Sequence, residues 1–273
     1  MRKSVLSLAV AATATFSGIA GAQTAAPAAA PAPSPITGNG TLVSEYRFRG
    51  IDQTYGKPAI QGGIDYSHSS GVYLGNWNSN VSQGAGFPGG NIEMDFYGGW
   101  KGSFGDFGVD VGAIYYMYPG TNAGPTIPFS PVNNRTGVVH QGSVNNKEIY
   151  IGGSWKWISA KYFYSVDDYF SAPGTEGSNY LDLALTFDLG NGWGVNGHYG
   201  HFSFKGMDNA NYNDYKIGVT KDISGWVFGA AYVGTSAKGD CSNGEFYCFF
   251  NTSGTESRDA GRSTVVLSLG KTF

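Results

Sequence analysis

Apolar and polar residues alternate one by one along most of this chain. Residues 91–101 put Ile92, Met94, Phe96, Gly98 and Trp100 on one face and Glu93, Asp95, Gly99 and Lys101 on the other. Residues 180–189 set Leu181, Leu183, Leu185, Phe187 and Leu189 against Asp182, Thr186 and Asp188, and residues 147–157 set Ile149, Ile151, Trp155 and Trp157 against Glu148, Ser154 and Lys156. A strand separates such sets onto two faces, whereas a helix scatters them around its axis. The pattern predicts twelve strands, at 40–49, 59–68, 71–80, 91–101, 106–117, 146–156, 159–168, 179–189, 192–202, 212–221, 225–234 and 263–273. Most approach the roughly 9–11 residues that cross a bilayer when tilted.

The connections alternate in length. Tight joints fall at Ser69-Ser70, 102–105, Ile158, Gly190-Asn191 and 222–224. Longer segments fall between them, at 50–58, 81–90, 118–145, 169–178, 203–211 and 235–262. Short turns at one end and long loops at the other predict an all-β fold, an antiparallel transmembrane β-barrel with short periplasmic turns and long extracellular loops. Five of the six tryptophans, Trp100, Trp155, Trp157, Trp193 and Trp226, lie near a tight joint. An indole prefers the level where apolar and wet surroundings meet, so a periplasmic aromatic girdle accounts for the placement. Packing in a soluble core is the competing explanation.

Composition sharpens this picture. Glycine is abundant at 43, aromatics make up 15% and charged residues only 14%. Few charges and many aromatics exclude a disordered chain. No internal run reaches the roughly 18 apolar residues of a membrane helix. Arg2 and Lys3 precede a small, apolar, uncharged stretch ending in Ala20-Gly21-Ala22, the pattern of a signal peptide over 1–22. An Ala/Pro-rich leader over 23–38 follows, and the barrel domain is expected at 39–273. Without the signal peptide's two bases, 15 basic residues face 20 acidic ones, a balance of −5 that argues against a nucleic-acid partner. Val265, Leu267 and Leu269 alternate back from Phe273. This resembles the signal by which barrel-assembly machinery reads a C-terminal strand, with Lys271 as a departure from it. An ordinary last strand is the alternative.

The segment 40–81 carries a family resemblance. YRFRGI (46–51), KPAIQGG (57–63) and YSHSSGVY (66–73) resemble the N-terminal part of the TorF family of porins, a family once catalogued as a conserved proteobacterial protein of unknown function. IEMDFYGGW, IYYMYPG and AKYFYSVDDYF continue the resemblance, while 121–145 and 240–250 depart from it. The resemblance implies an outer-membrane barrel and a pore, and no particular substrate.

Candidate functional residues follow from the alternation. A lipid-facing Arg or Lys near the bilayer midplane costs about 2–4 kcal/mol, so charges belong inside the barrel. The inward set comprises Arg47, Arg49, Lys101, Lys156, Lys161 and Lys216, and the acids Glu45, Asp65, Glu93, Asp95, Asp110, Glu148, Asp182, Asp188 and Asp214. They are read as pore-lining; salt-bridged networks filling a small barrel are the equal alternative. His198 and His201 are three apart on a strand and point to opposite faces, and His68 and His140 stand apart, so no metal constellation emerges and no cofactor is expected. G-x-S-x-G is absent, which speaks against a hydrolase without excluding a triad assembled across strands. Cys241 and Cys248 are the two cysteines of an exported chain and predict one disulfide. The expected function is passive, weakly cation-selective diffusion of small hydrophilic solutes, with outer-membrane lipid, assembly machinery and the solutes as partners. The segment 118–145 is the expected constriction. The rival functions are a structural or adhesive barrel binding through its loops and, behind it, a membrane-embedded hydrolase.

Overall fold

In the computed structural model the described residues are 34–122 and 142–273. The signal peptide, most of the leader and the greater part of 118–145 lie outside them. Twelve strands form one closed antiparallel barrel. They are β1 (Ile36–Val43), β2 (Ala59–Ser67), β3 (Val72–Asn80), β4 (Ile92–Phe104), β5 (Phe107–Met117) and β6 (Asn145–Trp155). The second half comprises β7 (Ile158–Ser165), β8 (Asn179–Gly190), β9 (Trp193–Ser203), β10 (Tyr212–Ile223), β11 (Trp226–Thr235) and β12 (Thr264–Thr272). Each strand pairs with its sequence neighbour, and β12 closes the barrel on β1 through Asn39↔Thr272 to Val43↔Ser268. Closure leaves no strand edge without a hydrogen-bonding partner, the condition for a sheet to stand in hydrocarbon.

Eleven strands lie within three residues of their expected bounds. The exception is β1, which occupies 36–43 instead of 40–49 and starts inside the segment read as leader. The alternation does continue past Val43, but there it belongs to a different element. At Ser44 the chain leaves the barrel wall and turns inward.

The outer face is apolar at mid-height, with Leu181, Leu183, Leu185, Ile217 and Leu267 exposed. Trp155, Trp157, Trp193 and Trp226 ring the short-turn end. Tyr162, Tyr164, Tyr199, Tyr215 and Tyr232 are exposed toward the long-loop end. Two aromatic girdles therefore bracket an apolar belt, the exterior of a bilayer-spanning barrel. The short turns use residues that tolerate positive φ. Asn191 (φ 53°) and Gly192 (φ 76°) both take it between β8 and β9, the geometry that matches the strand twist of a tight hairpin.

Candidate functional site

Strand alternation directs the charged side chains into the lumen, and its two halves differ. Residues 45–54, ten in a row, are buried, although they follow a strand that ends at Val43. They fold into a small hairpin pairing Arg47–Phe48 with Ile51–Asp52, set inside the long-loop half of the barrel. Loops ordinarily run over the surface because their backbone needs partners. Here the partners come from within: Gln53 N donates to Tyr46 O (2.9 Å), and Asp52 N to Ala260 O (2.9 Å). The segment is a plug.

Its charged side chains are paired. Arg49 donates to both carboxylate oxygens of Glu148 on β6, at 2.9 and 2.6 Å. The guanidinium also lies 4.8, 5.0 and 4.5 Å from the ring centres of Phe48, Phe163 and Tyr180. Burial disfavours the Arg49 charge, but Glu148, Tyr169 and Tyr116 together hold its pKa above the ordinary arginine value. On the opposite side Arg47 pairs with Glu45 and donates to the carbonyls of Gly50 (3.0 Å), Ala260 (2.9 Å) and Arg262 (3.0 Å). Arg262 in turn holds Glu45 (2.7 Å) and Asp52 (2.9 Å). The plug thus spans the lumen from β6 to the loop before β12.

Apolar contacts complete the seal. Phe48 packs edge-on against Tyr116 (5.5 Å) and Phe170 (6.2 Å). Phe170 belongs to the loop between β7 and β8 and holds φ 46°, followed by Ser171 at 57°. Arg49 is itself left-handed at φ 49°. Non-glycine residues in this region cost on the order of 1 kcal/mol or more each and persist where surroundings fix them. Gly50 (φ 79°) touches the far wall so closely that a Cβ there would collide with Thr235 and Asp214.

The wall carries further networks. Lys161 Nζ meets Asp110 Oδ2 at 2.6 Å, and the Tyr73 hydroxyl donates to Asp110 Oδ1 at 2.6 Å. His198 lies between Asp182 (Nδ1–Oδ1 2.9 Å) and Asp214 (Nε2–Oδ2 3.1 Å), and Tyr180 donates to Asp214 at 2.9 Å. Tyr97 donates to Asp65 at 2.6 Å. Toward the short turns the inner face carries small residues such as Ala184, Gly194 and Gly229, and Thr186 and Asp188 are exposed. We call this half, with its exposed Thr186 and Asp188, the vestibule.

The inward-facing candidates therefore fall into three groups. Asp65, Glu93, Asp95, Lys101, Asp110, Glu148, Lys161, Asp182, Asp188, Asp214 and Lys216 lie on barrel strands. Glu45, Arg47 and Arg49 are inside the barrel but belong to the plug, not to a strand. Lys156 is displaced: the turn falls at Lys156-Trp157 and not at Ile158, so Lys156 (φ 55°) is exposed, with its ammonium 4.6 Å from the Trp155 ring. Lys221 on Trp193 (4.9 Å) and Lys271 on Trp226 (4.8 Å) repeat this arrangement. These lysines sit at the interface level, where an aromatic face and water are both within reach.

Sequence reasoning missed Asp52 of the plug and its partner Arg262, which are 210 residues apart. It also missed His198 as a lumen residue, although alternation and strand order place it between Asp182 and Asp214. Asp222 escaped because β10 runs two residues further than expected. His68 accepts from Ser70 N at 3.2 Å, a contact internal to its turn. Cys241 and Cys248 form the expected disulfide in the last long loop. That loop roofs the plug: Arg258 donates to Tyr55 O (2.7 Å) and Tyr247 to Ala210 O (2.5 Å).

A closed antiparallel barrel with an apolar belt between aromatic girdles and its charges turned inward is an outer-membrane β-barrel. The chain belongs to a family described as a bacterial protein of unknown function (Gcw_chp), whose model matches residues 27–273. The family description carries no TorF name, so the TorF likeness of the N-terminal motifs stays a resemblance. No curated protein matches the chain significantly. Among solved structures, the KdgM porin is similar at 7% identity over 87% of this chain and 98% of its own, with a TM-score of 0.49. The NanC porin is similar at 10% identity, 87% and 98% coverage and a TM-score of 0.47. The Acinetobacter baumannii outer membrane protein Omp33 is similar at 8% identity, 88% and 98% coverage and a TM-score of 0.45. Likeness at this level adds nothing to what the strand register already defines.

Proposed function

We propose that this protein is a porin-like channel of the outer membrane for small hydrophilic solutes, and that residues 45–54 close its outer half. The observation that carries this reading is the contrast between the two halves of the lumen. A barrel serving only as an anchor has no need of an inner half lined by small side chains with exposed Thr186 and Asp188. Nor does it need a separate, polar, side-chain-latched segment at the other end. The plug is joined to the wall largely by ion pairs and hydrogen bonds, which can exchange with water, and its backbone is left-handed at Arg49 and Gly50. Both features suit an element with two positions.

The purified barrel in a planar lipid bilayer tests the reading. The expected result is a low-conductance background with brief larger openings. Replacing 45–55 by a short Gly/Ser turn should convert these to steady openings. Complete absence of conductance from the plug-deleted, correctly folded barrel would overturn the channel reading.

A second reading has one observation in its favour. The filled outer half and the disulfide-bearing roof suit a barrel that presents its loops to an external partner. Its signature would be loop-dependent binding by a barrel that stays closed with the plug removed.

A further inference from the structure

Glu93 and Asp95 on β4 differ from the other buried acids of the lumen. Glu148 has Arg49, Asp110 has Lys161, Glu45 and Asp52 share Arg262, and Asp182 and Asp214 flank His198. Glu93 is fully buried and Asp95 is 2% exposed, yet among the described residues neither has an ion-pair partner. Glu93 Oε2 and Asp95 Oδ1 are buried without a well-formed hydrogen bond. An unpaired carboxylate in such surroundings is strongly disfavoured, and here two stand at successive inward positions of one strand.

Neutral oxygens gather at the same place. The Tyr118 hydroxyl donates to Glu93 Oε1 at 2.7 Å. Tyr46, from the plug, is 3% exposed and its hydroxyl has no well-formed hydrogen bond. The Tyr46 hydroxyl lies beside the Glu93 and Asp95 carboxylates. The pairing Gln61↔Ser79↔Glu93 sets Gln61 in the same row of the wall, and its Oε1 is again buried without a partner. The nearest further charges are Glu148, which acts on Asp95 through space, and its partner Arg49. Three carboxylates and one guanidinium leave a formal charge of −2.

We propose that Glu93 and Asp95, with the Tyr46 hydroxyl, form a binding site for a divalent cation of the calcium type, between the plug and the barrel wall. A divalent ion cancels the −2 charge. The two carboxylates and the Gln61 amide oxygen are hard ligands of the kind calcium takes in flexible geometry, and the Tyr46 hydroxyl adds a neutral oxygen beside them. Magnesium demands near-ideal octahedral geometry, which two carboxylates on one strand and a phenol on a loop do not impose. The strand spacing alone gives no hint of the site, because any two successive inward acids share it. It becomes visible only when the plug brings Tyr46 alongside.

The test uses the full barrel refolded in detergent, with thermal unfolding followed by circular dichroism in EDTA and in increasing CaCl2. The expected result is a midpoint that climbs with the logarithm of calcium concentration, as for a ligand bound by the folded state alone. Glu93→Gln with Asp95→Asn should abolish the dependence, and Asp188→Asn should leave it unchanged. If the double variant fails to refold, Tyr46→Phe decides by calorimetric titration. It should weaken calcium binding several-fold, and an unchanged affinity overturns the site. A wild-type midpoint equal in EDTA and in calcium would show that the two acids share a proton instead, and equal calcium dependence in the double variant would place the ion elsewhere. None of these measurements involves conduction, so the site and the channel reading can fail separately.

Discussion

Arg49 is held where a positive charge survives only in company. Its guanidinium is buried, its backbone is left-handed, and Glu148 meets it with two parallel hydrogen bonds. Removing one partner of such a pair leaves the other charged, buried and unmatched, a loss of about 3–5 kcal/mol, whereas replacing both can be nearly neutral. Arg49→Ala is therefore expected to destabilise the plug far more than Arg49→Met combined with Glu148→Leu. Limited proteolysis of the plug, or hydrogen exchange over 45–54, separates the two. Additive losses would mean that the pair is not coupled. Arg49→Lys is expected to behave like a loss variant, because an ammonium cannot form the planar fork or lie against three aromatic rings at once. The strain at Arg49 acts in the same direction: once the ion pair is gone, nothing holds a non-glycine residue at φ 49°.

The plug is the element on which the proposed function turns, and its ends make it easy to test. Val43 and Ala59 face each other as the last pair of the β1–β2 ladder, so a short turn in place of 45–55 leaves both strands where they are. The deletion is expected to leave the barrel's far-ultraviolet spectrum intact and to raise single-channel conductance; unchanged conductance would place the constriction elsewhere. The roof is a separate matter. The disulfide closes a loop of seven residues' separation, and the chain-entropy model assigns such a loop roughly 2–3 kcal/mol. Cys241→Ser with Cys248→Ser is thus expected to speed proteolytic cleavage within 240–250 while the strands stay protected, and uniform loss of protection would give the disulfide a global role. The strands were legible because a barrel wall imposes strict alternation between lipid and lumen, and a run such as Leu181 to Leu189 permits no other reading. The plug was not legible for the same reason. Residues 45–51 alternate as a strand does, but every side of that segment is enclosed, and no local pattern distinguishes a lumen from a bilayer on the far side. Its partners, Glu148 and the loop around Arg262, lie about 100 and over 200 residues away. The expected constriction, 118–145, falls largely outside the described residues.

For the molecule as a whole, the question is which sign of charge a solute meets once the plug moves. Pairing removes most of the fixed charge seen in the sequence: Arg47, Arg49 and Arg262 are matched by Glu45, Asp52 and Glu148, and Lys161 by Asp110. Lys156 leaves the tally because it stands outside the lumen on Trp155. Deeper in, Asp182 and Asp214 share one His198, with Lys216 on the neighbouring strand position. Among the described residues, the inner face at the vestibule carries Asp65, Asp188 and Asp222 against Lys101, and none of these four has an ion pair there. A vestibule of net negative charge concentrates cations before they reach the narrow part, and the effect is modest because water screens it. Three consequences follow for the open, plug-deleted barrel. Its reversal potential in a KCl gradient should show a weak cation preference that fades toward 1 M salt, where the Debye length shrinks to roughly 3 Å. Asp65→Asn with Asp188→Asn should abolish that preference. Lys156→Gln should not alter it, whereas Lys101→Gln should strengthen it, because only Lys101 faces the vestibule. Anion preference in the parent barrel, or an equal response to the two lysine substitutions, would mean that selectivity is set by the long loops and not by the wall.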